Sequence, residues 1–261
     1  MERVVVAWIE KLGEAAVALS GGLDSSVVSA LAHRALGEKA IAIAIDSPLN
    51  VPNQLEAAKK VAEMVGIPLS IVKLNELEVE EIRENTTDRC YHCRLLRMKA
   101  VVEEASRRGV KHVLDGTNAD DLRKRRPGLR ALRELGILSP LAACGVGERE
   151  VEQMAKSLGI GKDVVISDSC LATRVPYGVS LEKGLLEKIA RAEEVVKKAV
   201  GAKTVRVRHH RDIARIEVGR EERRLFTEEV MDRVFEELRG LGYKYVTLDL
   251  RGYVEGVFDE A

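Results

Sequence analysis

Four short strings in this 261-residue chain combine residue types that do chemistry. The first, Ser20-Gly21-Gly22-Leu23-Asp24-Ser25-Ser26, sets two glycines beside three hydroxyls and a carboxylate. Glycine reaches backbone angles closed to other residues, so successive N–H groups can converge on one concavity. A helix starting there adds its N-terminal partial positive charge, and Ser25 and Ser26 add hydroxyls. The product is a cradle for phosphate. The competing reading is a tight strand-to-helix turn capped by Ser20 or Asp24. A second string, Gly116-Thr117-Asn118-Ala119-Asp120-Asp121, offers two carboxylates that would either bind a metal or cap a helix.

The third string, Cys90-Tyr91-His92-Cys93, carries two thiols at a spacing that grips one metal centre. Cys170 follows in SDSCLATRVPYG. A four-ligand zinc site completed by His92 is one reading, but His92 faces away from its neighbours in a C-x-x-C clamp and the other histidines are remote in sequence. Cys144 sits in an apolar run and reads as core. In the fourth string, Arg206 and Arg208 alternate along a strand arm and so share a face suited to bidentate phosphate capture. The alternative is a solvated sheet face with charge pairs to Glu217 or Asp212. Arg94, Arg174 and Glu194 lie near these strings, and His209 and His210 either back the arginines or face solvent. The run Arg123-Lys124-Arg125-Arg126 reads as solvated.

The elements that must hold these strings follow from hydrophobic period. Val4, Trp8 and Leu12 share a helical face. Ala15–Leu19, Lys39–Ile45, Leu69–Leu74 and Lys111–Leu114 are short continuous apolar runs, read as buried strands separated by helices. One helix reaches Ala35 with Gly37 at its C-cap, and Pro52 suits the first turn of another ending near Val65. This is an α/β fold with a doubly wound parallel sheet, whose ligand crevice lies at the C-terminal strand ends. The chemical strings fall there. Past residue 170 the order becomes helix (Leu181–Val200), hairpin, helix (Thr227–Leu238), strand (Tyr243–Leu250), a small α+β unit with an antiparallel sheet. The expected domains are 1–168 and 169–261.

Composition narrows the partners. With 42 basic and 42 acidic side chains the net charge is zero, which argues against a general polyanion binder. A charged fraction of 32% with few glutamines hints at heat adaptation. No apolar run approaches the roughly 18 residues of a membrane span, and no cleavage site follows the N-terminal apolar stretch. Four cysteines in a chain this long are not a disulfide scaffold. A cytoplasmic protein is expected.

The SGGLDSS string resembles the SGGxDS pyrophosphate loop of the N-type ATP pyrophosphatases, or PP-loop ATPases, and GTNADD matches a second motif of that superfamily. Together with DRCYHCR, SDSCLATRVPYG and VRVRHHRDIARIEV, the chain looks like the ATP-dependent sulfur transferases of the LarE family over residues 15 to 250. The resemblance implies that Ser20, Gly21, Gly22, Asp24, Ser25 and Ser26 hold pyrophosphate and Mg²⁺, the magnesium on Asp24. It implies adenosine contacts near Ala18, Asp46 and Ser47, a cleft lined by Gly116 and Thr117, and metal help from Asp120 or Asp121. Arg94, Arg174, Glu194, Arg206 and Arg208 would meet the substrate, with Arg206 and Arg208 on its phosphate.

The family's reaction adenylates a pyridinium dicarboxylate mononucleotide and replaces AMP with sulfur, on the route to a nickel-pincer cofactor. Members with a single cysteine matching Cys170 sacrifice its sulfur. This chain has Cys90, Cys93 and Cys170, and the resemblance implies that the three ligate a 4Fe-4S cluster delivering sulfur without consuming the protein. A homo-oligomer is also implied. The main rival changes the acceptor to a tRNA base. Zero net charge and only nine aromatic residues stand against it. A non-catalytic adenine-nucleotide or iron–sulfur sensor and an amide-forming synthetase are further alternatives, and the synthetase leaves three cysteines without a task.

Overall fold

The protein is described from a computed structural model covering residues 1–123, 127–161, 163–166 and 168–254. It divides into two compact units, one of residues 1–76 and 88–168, the other of residues 77–87 and 169–261. No helix among the described residues is long and apolar enough to cross a membrane.

The first unit begins with α1 (Glu2–Glu10), β1 (Ala15–Ala18), α2 (Leu23–Leu36), β2 (Ala40–Asp46), α3 (Gln54–Val65) and β3 (Leu69–Lys73). The short helix α4 (Glu80–Arg83) belongs to the second unit; α5 (Arg89–Arg107), β4 (Val113–Leu114), α6 (Gly128–Glu134), α7 (Pro140–Ala143) and α8 (Glu148–Ser157) return to the first. The sheet order is β3-β2-β1-β4 and all pairs are parallel, with Ala15 opposite Ala40 and Val17 opposite Leu114. Alternation along β1 sends Ala15 and Val17 into a core shared with α1, α2, α3 and α8, and Ala16 into a second core with Met98, Val101 and Ala105 of α5. Helices therefore cover both faces, as a doubly wound sheet requires. The order reverses between β1 and β4, which places the crevice of such a sheet outside their carboxyl ends.

Two local expectations change. Val4 is exposed while Val5 and Ile9 are buried, so the core-facing stripe of α1 runs one residue later than Val4-Trp8-Leu12 alone suggests, although Trp8 and Leu12 do pack on its edge. Asn53, in the left-handed region at φ 64°, precedes α3, so Pro52 stands outside the helix rather than in its first turn.

The second unit contains α9 (Lys183–Val200), β5 (Val205–His210), β6 (Ile213–Val218), α10 (Glu228–Gly240) and β7 (Tyr245–Leu248). β5 and β6 form the expected hairpin, its turn using Arg211 at φ 57°. β7 pairs parallel to β6, which makes the sheet mixed rather than antiparallel. The helix α10 crosses from β6 back to β7, and such a crossover returns a strand in the same direction. Val205, Val207, Ile216 and Val218 pack under α9 and α10 in a separate core. Residues 77–87 join this unit through buried Asn85, whose side-chain amide donates to the carbonyls of Val175 and Pro176 at 3.2 and 2.8 Å.

Candidate functional site

The glycine loop is built by close approach. Gly21 has φ +81°, and a Cβ there would stand 2.7 Å from the Gln54 carbonyl oxygen. Its own carbonyl accepts the Ile166 amide at 2.8 Å, and the Gln54 side chain donates to the Ser20 carbonyl at 3.0 Å. Gly22 is the N-cap of α2 and no side chain caps that end. First-turn amides of a helix lack intrahelical acceptors, and an uncapped helix start of this kind is chemically suited to an anion.

The hydroxyls do different work from the amides. Ser26 Oγ donates to the Gly22 carbonyl at 2.7 Å and is fully buried; Ser25 Oγ donates to the same carbonyl at 3.1 Å and lies 2.9 Å from Ser20 Oγ. Ser20 Oγ accepts from the Gly22 amide at 3.3 Å. These three hydroxyls shape the loop from within. Asp24, half-buried in the first turn of α2, is the acidic side chain of that turn.

Parallel pairing brings the ends of β2 and β4 to the same edge. Gly116 follows β4, and a Cβ on it would stand 2.6 Å from the Ser25 amide nitrogen. Thr117 is held by Asp115, whose carboxylate also accepts Ser139 Oγ at 2.6 Å. Asp120 Oδ2 accepts the Glu148 amide at 2.9 Å and so caps α8, while Asp121, buried, accepts the Asn118 amide at 3.2 Å. The capping reading therefore describes Asp120, although the helix it caps begins 28 residues later. Ala18, Asp46 and Ser47 occupy the ends of β1 and β2, half-buried. Ser47 donates to Glu76, a buried carboxylate with no sequence signal of its own.

Cys90 and Cys93 stand inside the start of α5 rather than before it, half-buried and unoxidised, with Arg89 Nη2 at 3.6 Å from Cys90 Sγ. Tyr91, between them, donates to Glu134 at 2.7 Å and stacks under Arg130, which fixes α6 against α5. The Arg94 side chain runs along Gly128, close enough that a Cβ there would meet it at 3.4 Å. Cys144 is half-buried against the main core, and burial pushes its thiol pKa up. Of the basic run, Arg123 is exposed beside Asp120, and residues 124–126 lie outside the described ones.

In the second unit, Cys170 is the N-cap of a 3-10 turn over Leu171–Arg174. Arg174 is fully buried. Its Nε donates to Glu193 at 2.8 Å, and its Nη1 reaches the carbonyls of Ser169 and Cys170 at 2.8 and 3.2 Å. Glu193 also accepts the Val207 amide at 3.0 Å, whereas its neighbour Glu194 is exposed and paired with Lys198 at 2.7 Å. The missed signal was periodic: Leu186, Ile189, Glu193, Val196 and Val200 form the buried stripe of α9, so Glu193 is a carboxylate at a core position.

Arg206 and Arg208 do share a face of β5, and both are buried. Arg208 pairs with Glu217 at 2.8 Å and donates to the Thr173 carbonyl at 2.6 Å. Arg206 donates to the Val205 carbonyl at 2.8 Å and its guanidinium carbon is 5.0 Å from the Tyr253 ring centre. Arg215 supplies a further cation on Glu217 at 2.9 Å. The Glu217 partner anticipated for an exposed face is present on a buried one. Among the described residues, no three His, Cys, Asp or Glu side chains are gathered to hold a metal ion.

Residues 7–133 match the asparagine synthase family model. The chain is 36% identical over 247 residues to an uncharacterised protein of Synechocystis, covering 94% of this chain and 92% of that one. It is 34% identical over 254 residues to the pyridinium-3,5-bisthiocarboxylic acid mononucleotide synthase of Lactiplantibacillus plantarum, covering 97% and 91%. A more distant match, 24% identical over 200 residues, is to a glutamine-hydrolysing GMP synthase component of Archaeoglobus fulgidus, covering 71% of this chain and 65% of that one.

Proposed function

The chain belongs to the LarE family of PP-loop sulfurtransferases, and from that premise we propose that it thiolates a carboxylate of a pyridinium dicarboxylate mononucleotide. It is an ATP-dependent sulfurtransferase. The observation that carries the nucleotide half is the uncapped start of α2 beside the glycine loop, at the switch point between β1 and β4.

The chemistry follows from what each group can do. A carboxylate is a poor acyl donor, and adenylation converts its oxygen into a leaving group. The amides of the glycine loop and α2 would bind the departing pyrophosphate, with Mg²⁺ on Asp24 sharing its charge. The loops of Ala18 and Asp46-Ser47 would receive adenosine, and Gly116 and Thr117 would line the cleft. Buried Arg206 and Arg208, on one face of β5, support a site for the substrate phosphate. Arg94 remains a substrate candidate, and Arg174 and Glu194 enter the reading differently: Arg174 by holding the Cys170 segment, Glu194 by its place on the exposed face of α9.

The donor types of Cys90, Cys93 and Cys170 suit a 4Fe-4S cluster, and none of the three is in a disulfide. Bound there, a cluster with an open iron would supply sulfide. Its support is this donor chemistry, with no gathered three-ligand group among the described residues. Self-association in the cytoplasm completes the reading, with light scattering as its test.

The experiment is anaerobic reconstitution with iron and sulfide, followed by turnover with Mg-ATP and the dicarboxylate nucleotide. Pyrophosphate release and thiocarboxylate formation support the sulfurtransferase reading, and about four irons per chain with unchanged protein mass supports the cluster. Loss of hydrogen sulfide from each active chain would make Cys170 the sacrificed donor. A tRNA acceptor instead would show as salt-sensitive tRNA binding.

A further inference from the structure

Glu76 is fully buried, and its hydrogen bonds run to the loop that follows β2 and to helix α5. Ser47 Oγ lies 2.7 and 2.6 Å from its two carboxylate oxygens, and Arg97 Nε donates to it at 2.6 Å. Arg97 continues to Asn50 Oδ1 at 2.6 Å, and the Asn50 amide donates to the Ile45 carbonyl at 2.7 Å. Ser47 Oγ accepts the Leu49 amide at 3.0 Å. The bonds therefore close on residues 45–50 from both ends.

A buried carboxylate is costly unless it is paired and its lone pairs are filled, and Glu76 meets that condition only with this loop in this shape. Ser47 has one hydroxyl proton, and it goes to Glu76. Toward a ligand, Ser47 is left with its backbone and an acceptor lone pair. Arg97 stands one turn beyond Cys93 on α5, so the loop is anchored to a long helix rather than to another loop.

We propose that Glu76 is a positioning residue for nucleotide binding: paired with Arg97, it sets the loop of Asp46 and Ser47 in the conformation that receives adenosine. The inference rests on the ATP-site reading above. Loss of the pairing lets the loop sample other shapes, so the cost falls on ATP capture and not on the later chemistry.

The test is steady-state pyrophosphate release and calorimetry with Mg-ATP on E76Q, S47A and their double variant. E76Q raises KM and Kd for ATP about tenfold with kcat within about twofold, the scale of one charge-assisted hydrogen bond. The double variant is little worse than E76Q alone, because both act through one network. E104Q is the structural control: Glu104 is another buried carboxylate, bonded to Ser70 and to Arg108 one turn further along the chain, and its loss leaves KM for ATP unchanged. If E76Q does not fold, S47A removes one half-buried hydroxyl and carries the same comparison. Wild-type KM in E76Q or S47A, or an equal rise in E104Q, overturns the inference. Wild-type protein that binds no Mg-ATP overturns the ATP-site reading itself, and this inference with it.

Discussion

Arg174 and Glu193 form a two-pronged ion pair, with Nε–Oε1 at 2.8 Å and Nη2–Oε2 at 3.2 Å. The arginine is fully buried, and the same guanidinium holds the Ser169 and Cys170 carbonyls. The pair thereby ties the segment that carries Cys170 to helix α9.

The first expected outcome concerns stability. Arg174→Met strands the Glu193 carboxylate in the interior, and breaking a buried pair from one side costs about 3–5 kcal/mol. Urea denaturation without any ligand measures it. A midpoint equal to that of the wild type would remove the positioning role and return Arg174 to the substrate candidates.

Gly116→Ala tests the junction of the two ATP loops. Its Cβ would stand 2.6 Å from the Ser25 amide nitrogen, with the Asp24 carbonyl carbon at 3.0 Å, so backbone must move where phosphate is expected. Displacement of about 1 Å at a reacting site costs on the order of a hundredfold in rate. Gly184→Ala, in the first turn of α9 and open on all sides, is the control and leaves pyrophosphate release unchanged. Normal pyrophosphate release by Gly116→Ala would show that the two loops do not act together.

Much of the sheet was legible because its strands are continuous apolar runs and its glycines mark the turns. The glycine loop and the GTNADD turn could be placed for that reason, and the hairpin carrying Arg206 and Arg208 from the alternation along both its arms. The direction of β7 is not written in its alternation, which is identical in parallel and antiparallel pairs; its signal was the helix between the last two strands, a crossover that returns a strand parallel. Glu76 was invisible because its partners, Ser47 and Arg97, lie 29 and 21 residues away with no local pattern linking them. Glu193 was readable in principle, as an acid on an apolar stripe, but the adjacent Glu194 drew the reading instead.

Thiol chemistry separates the cysteines. Burial raises the Cys144 thiol above its ordinary 9.0, so less thiolate is present at pH 8 and alkylation is slow. Iodoacetamide labelling followed by peptide mass mapping should modify Cys144 more slowly than a model thiol peptide. Labelling at the model rate would show that the apolar wall around Cys144 is open to reagent.

Acid sensitivity of the second unit should come from histidine. Burial lowers the His209 pKa below 6.5, and Lys188 and His210 push the same way against the smaller opposing pull of Asp212; burial likewise lowers His210. Between the lowered folded value and 6.5 the unfolded chain binds more protons than the folded one. Stability therefore falls as pH drops through about 6.5. Tyr243, whose ring centre is 5.9 Å from that of His209, is pushed up to about 12 by burial and does not titrate in this window. Carboxylates with ordinary values of 3.8 and 4.5, such as Asp212 and Glu104, are lowered by their hydrogen bonds and lose their contribution only in stronger acid. Urea midpoints compared at pH 7.5 and 5.5 isolate the histidines. The wild type should be less stable at pH 5.5, and the double variant His209→Gln with His210→Gln should show a smaller difference. An equal difference in both proteins would place the acid sensitivity outside this pair.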